Sequence, residues 1–112
     1  MAEITWGYFS KVEICVGTIV GADGFPEARK PAYKLTIDFG KALGERKSSA
    51  QLTDLYTEKE LIGRQVLAVI NFLKKQIGPF MSECLVTGFV QLDGSVVLAI
   101  PERPVENGLR LA

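Results

Sequence analysis

Between Ala32 and Phe39 the chain alternates without a slip: Tyr33, Leu35, Ile37 and Phe39 are apolar, and Lys34, Thr36 and Asp38 between them are polar. A period of two fits an extended strand with one dry face and one wet face, and excludes an amphipathic helix, whose apolar positions recur every three or four residues. Other short apolar runs, Val12 to Val20, Gln65 to Ile70, Cys84 to Val90 and Val96 to Ile100, are bounded by Gly, Pro or Asp-Gly. That punctuation predicts an all-β domain.

In the first run, Val12, Ile14, Val16 and Val20 form the expected inward set, and Gly17 and Gly21 are expected to let a long strand bend and serve two sheets. Asp23 to Pro26 and Pro31 break it, leaving Arg29 and Lys30 at a basic tip. Glu45 to Leu52 reads as a polar strand that pairs but has little to bury. Thr53 to Ile62 reads as short helical turns, with Thr57 and Glu60 spaced as a capping box and Gly63 as the stop. Asp93-Gly94 predicts a tight hairpin, and Asn107-Gly108 a turn in the tail. Three strands, a short helix and then further strands is the order of an OB-type Greek-key barrel, with the helix between strands 3 and 4. SH3-like barrels and open sandwiches are the alternatives.

One domain spanning 1–112 is expected, with an aromatic N-terminal segment, 1–11, and a C-terminal tail, 101–112. Hydrophobic residues make up 47% and charged residues 23%, with thirteen acids against thirteen bases, which fits an ordinary folded domain and argues against wholesale non-specific polyanion binding. The N-terminus lacks a signal-peptide pattern, and no apolar run approaches the ~20 residues of a membrane helix. A cytoplasmic protein without membrane insertion is therefore expected, with Cys15 and Cys84 as buried thiols. No histidine occurs. Its absence removes the commonest general base and metal ligand, and no phosphate-binding loop or nucleophile-elbow motif is present. Catalytic residues, metals and cofactors are not expected; an acid–base pair of Asp38 and Glu83 is the one enzymatic arrangement weighed.

The binding inventory concentrates at Asn71 to Glu83, N-F-L-K-K-Q-I-G-P-F-M-S-E, between two apolar strands. Lys74 and Lys75 supply charge, Phe72, Phe80 and Met81 apolar contact, and Asn71 and Ser82 hydrogen bonds; Lys34, Ser49 and Gln51 lie on neighbouring strands. The same residues can instead close the barrel rim. A second apolar group, Trp6, Tyr8 and Phe9 before the first strand and Val105, Leu109 and Leu111 after the last, stands outside the alternation. It can form a homodimer interface or fold back over its own barrel.

V-G-T-I-V at Val16 to Val20, F-P-E-A-R-K-P-A-Y-K-L at Phe25 to Leu35, I-D-F-G at Ile37 to Gly40 and S-S-A-Q-L-T at Ser48 to Thr53 resemble the CsaA family. Asn71-Phe72, K-Q-I-G-P-F-M-S-E at Lys75 to Glu83 and P-V-E-N-G at Pro104 to Gly108 do so too. The resemblance implies a homodimeric, export-related chaperone for unfolded or precursor polypeptides, on a barrel like the tRNA-binding domain appended to some methionyl-tRNA synthetases. It implies a peptide site, or a tRNA site, at Lys34, Ser49, Gln51, Asn71, Phe72, Lys74, Lys75, Phe80, Met81 and Ser82. Leu73 and Lys74 depart from the prolines common after Asn-Phe in that family, and Cys84-Leu85 departs from the Gly-Met of the wider tRNA-binding motif.

Overall fold

The computed structural model describes all residues, 1–112. Its elements in chain order are α1 (Trp6–Ser10), β1 (Ile14–Gly24), β2 (Tyr33–Asp38), β3 (Glu45–Ala50), α2 (Glu58–Leu61), β4 (Gln65–Val69), β5 (Lys75–Ile77), β6 (Phe80–Ser82), β7 (Leu85–Val86), β8 (Gly88–Val90) and β9 (Val96–Leu98). Five antiparallel strands run β3-β2-β1-β4-β7, and β5-β6 and β8-β9 form separate hairpins. The result is a nearly closed OB-type barrel with a small helix before β4, as the order of sequence signals predicts.

β1 supplies the bend. It pairs with β4 over Ile14 to Thr18 and with β2 over Thr18 to Gly24, and the register slips between Ile19 and Gly21 as it changes partner. At the change, Gly63 N–H donates to the Ile19 carbonyl at 2.8 Å and Ile19 N–H to the Arg64 carbonyl at 2.9 Å. Gly17 faces inward: a Cβ there would lie 2.5 Å from Ile37 Cγ2 and 2.8 Å from the Phe39 ring. The expected inward set of the first run is therefore corrected. Cys15 and Ile19 are buried with Gly17 between them, Val16 is also buried, and Val20 is exposed.

Ile19, Leu35, Ile37, Phe39, Leu61 and Val66 form the centre of the core. Leu61 is placed by α2, whose cap is the predicted box: Glu60 N–H donates to Thr57 Oγ1 at 3.2 Å, and Thr57 N–H to Glu60 Oε1 at 3.0 Å. Gly63 follows at φ +88°, a conformation that favours glycine.

Three further expectations are revised. β3 does pack, with Ser48, Ala50 and Leu52 buried behind it. Cys84 to Val90 is two short strands, interrupted where Thr87 N–H and Oγ1 both donate to the Leu67 carbonyl, with Leu85, Phe89 and Val90 exposed. The N-terminal aromatics form a helix, α1, that sequence periodicity over so few residues did not signal.

The tail turns at Gly108, φ +94°, whose α-carbon packs so closely that a Cβ would lie 2.6 Å from the Phe39 carbonyl oxygen. It then runs along β1: Val16 N–H donates to the Leu109 carbonyl at 3.0 Å and Leu111 N–H to the Ile14 carbonyl at 2.8 Å. Asn107 Oδ1 accepts from Thr18 Oγ1 at 2.9 Å and Gln65 Nε2 at 3.0 Å, pinning the turn to the barrel.

Candidate functional site

The stretch between β4 and β7 is a hairpin, with Ile77 opposite Phe80, Gln76 opposite Met81 and Lys75 opposite Ser82. Gly78 at φ +56° and Pro79 make its two-residue turn. Strand alternation places Lys75, Ile77, Phe80 and Ser82 on one face and Gln76 and Met81 on the other. The apolar contact expected from Phe80 and Met81 together is thus divided between two faces.

Phe80 is partly spent on the fold. Its ring meets the buried Phe25 edge-on at 5.4 Å between centroids, and Lys34 Nζ lies 5.6 Å from the Phe25 centroid. Phe25, which the sequence reads only as part of a turn, is what holds the hairpin tip against the β1–β2 connection.

At its base the hairpin is fastened to β3. Glu83 N–H donates to the Lys47 carbonyl at 2.7 Å, Lys47 N–H returns a bond to Glu83 Oε1 at 2.9 Å, and Ser49 N–H donates to Ser82 Oγ at 3.1 Å. Ser48, fully buried, donates its hydroxyl to the Cys84 carbonyl at 2.8 Å. The other Glu83 oxygen lies 3.5 Å from Lys74 Nζ. Asp38 Oδ1 instead accepts from Gly40 N–H at 2.8 Å, so each carboxylate of the pair weighed for acid–base work has its own structural donor.

These bonds shape a groove of about 420 Å³ lined by Phe72, Leu73, Lys75, Ser82, Cys84 and Leu85. Phe72, Lys75 and Ser82 of the predicted set meet there. Phe72 and Leu73 are 57% and 97% exposed and Leu85 48%, an unusual display of apolar surface beside a lysine pair. Asn71 is turned away from it: its Oδ1 accepts from Glu13 N–H at 2.9 Å and its Nδ2 donates to the Lys11 carbonyl at 2.7 Å, so the hydrogen bonding expected toward a ligand is used to tie the N-terminal segment to the end of β4. Ser49 and Gln51 border an adjacent groove of about 400 Å³ that also touches Leu85. Leu73, Cys84 and Leu85 are lining residues that sequence reasoning did not assign; their apolar character in a lysine-bearing segment was the available signal.

The second apolar group is partly united. Trp6, Phe9 and Leu111 line a groove of about 280 Å³ with Val12, Arg110 and Ala112, and Trp6 lies 5.5 Å from Phe9 between ring centroids. Arg110 donates to the Ser10 carbonyl, joining helix and tail. Val105 is held elsewhere, exchanging backbone bonds with the Gln65 side chain. No cluster of three or more His, Cys, Asp or Glu side chains that could hold a metal ion is present, and no helix is long and apolar enough to cross a membrane.

Both cysteines are free thiols. Burial pushes the Cys84 thiol up to about 11, against a weaker opposing effect of its Ser48 neighbour. Native protein therefore keeps this proton through a range in which the unfolded chain, with a thiol pKa near 9, loses it. Stability should fall as pH rises from about 9 to about 11. Urea unfolding across that interval is expected to show the decline in wild type and a flatter profile in Cys84→Ala.

Residues 14–110 match the family model described as "Putative tRNA binding domain". The structure is similar to the chaperone CsaA from Bacillus anthracis, with 42% identity, a TM-score of 0.94, and coverage of 99% of this chain and 100% of that one. It is also similar to the CsaA chaperone protein from Picrophilus torridus, with 47% identity, a TM-score of 0.92, and coverage of 98% and 100%. A methionine–tRNA ligase of Bacteroides fragilis is 30% identical over 107 residues, 96% of this chain but 15% of the ligase. The chain thus spans about 15% of the length of such ligases.

Proposed function

The chain belongs to the CsaA family of tRNA-binding-domain proteins, and on that premise we propose that it is a cytoplasmic, non-enzymatic chaperone that holds unfolded or export-competent polypeptides. The observation that carries this reading is the exposed apolar groove of Phe72, Leu73, Cys84 and Leu85 with Lys75 at its edge. Such a groove accepts an apolar side chain, and the neighbouring cations attract acidic groups of an extended client. The chemistry asks for binding and release only.

A tRNA-binding role is the second reading, favoured by the family match and by Lys75 in the groove of exposed Phe72, with Lys74 next to it in sequence and Lys34 on β2 as further cations. There the lysines would meet phosphates and Phe72 would stack on a splayed base. Three phosphate contacts to single-stranded RNA give a log–log salt slope of about −2, whereas apolar capture of a peptide changes far less. Replacing Lys74 with Gln and Lys75 with Glu should weaken binding of an unfolded client several-fold and leave the melting temperature nearly unchanged. Fluorescence anisotropy with client and with tRNA, each titrated with salt, measures both. Unaltered affinity for both ligands would sink the site.

We further propose a homodimer joined through the groove formed by α1 and the tail. Trp6, Tyr8, Leu109 and Leu111 remain exposed although the tail is bonded to its own β1. Covering several hundred Å² of such surface per subunit supplies roughly 10 kcal/mol at ~25 cal/mol per Å², before association is subtracted. Light scattering should give a dimer at micromolar concentration for the full chain and a monomer for a variant lacking residues 1–10. A monomeric full chain, or a dimer that survives the deletion, would refute this interface.

A further inference from the structure

Leu85 is shared by two grooves. The first, of about 420 Å³, is the candidate site; the second, of about 400 Å³, lies between the end of β3 and the β7–β8 segment. Its floor includes the buried Leu52 with Val86 and Val96, its outer wall is Val90, 75% exposed, and Ser49 and Gln51 stand along its rim. None of the ten residues lining it carries a charge.

We infer that the two grooves are successive subsites of one track for an extended polypeptide, with Leu85 as the divider between two apolar side chains of the same client. The inference rests on the chaperone reading above and adds to it the spacing of what is recognised. Charge decides the occupant. A nucleic acid carried past Leu85 would bring phosphates over a groove lined by no cation, whereas a polypeptide backbone is uncharged and needs only the hydroxyl and amide groups that Ser49 and Gln51 provide. In an extended chain, side chains two residues apart point the same way about 6.6 Å apart, a separation suited to straddling one leucine. The track therefore reads apolar residues at i and i+2, with an acidic group toward Lys75.

The test uses the full chain and three fluorescein-labelled probes: an unstructured peptide with one acidic residue and one Leu, the same peptide with a second Leu two residues on, away from the acid, and an oligouridylate. In wild type the second Leu should strengthen binding about tenfold, the effect of desolvating one such side chain. Val90→Lys, at an exposed position, should abolish that gain and leave the one-Leu peptide bound as before. If the one-Leu peptide binds and the second Leu adds nothing, or if the gain survives in Val90→Lys, the two-subsite track is wrong and the chaperone reading stands. Weaker binding of oligouridylate to an uncharged Val90→Ser variant than to wild type would show that nucleic acid crosses the second groove, overturning the assignment. Failure of both peptides to bind either protein would remove the chaperone reading and the track together.

Discussion

The barrel's last seam, between β3 and the β6–β7 end, is not closed by a regular ladder, and the candidate site depends on what closes it instead. Ser48, Ser82 and Glu83 supply side-chain partners to the backbone of the opposite strand, and Glu83 N–H adds one main-chain bond. Ser48 is fully buried, so its bond to the Cys84 carbonyl is made out of water, where an unpaired acceptor would cost about 1–3 kcal/mol. A seam held this way fixes the base of the hairpin and still leaves Leu85 lining two apolar openings.

The same clasp sets the electrostatics. Glu83 accepts from Lys47 N–H with one oxygen and lies beside Lys74 with the other, so one carboxylate both holds the hairpin base and places a cation near the groove. Lys74 is well exposed, and its ion pair adds little to stability; its position matters more than its strength. At the far end of the hairpin the Phe25–Phe80 contact restrains the tip. The segment richest in candidate binding side chains is thus held at two points, and the groove between them is formed by the fold itself.

Much of the scaffold was legible from the sequence because it rests on local rules. The Tyr33 to Phe39 alternation became β2, the Thr57–Glu60 box became the α2 cap, and Gly63, Gly94 and Gly108 all took positive φ where turns were read. The site was legible as a region but not as an arrangement. Ser48 resembles any polar strand residue until a strand distant in sequence brings the Cys84 carbonyl to it. Asn71 carries the right donors and acceptors, yet a long-range contact to Lys11 and Glu13 takes them. Gly17 hid the inward face of β1, since a glycine adds nothing to the apolar pattern although the core requires the space it leaves. Leu85 lies in a run read as an apolar strand, and the alternation that turns Cys84 inward turns Leu85 out.

Amide hydrogen exchange in Glu83→Ala, residue by residue against wild type, tests most directly whether the clasp holds the site. Loss of a charge-assisted bond worth about 1.5–3 kcal/mol should speed exchange at Lys47 and across β5–β6 by at least about tenfold, with amides of the β1–β2 and β1–β4 ladders unchanged. Hairpin amides that keep their wild-type protection in the variant would contradict the account.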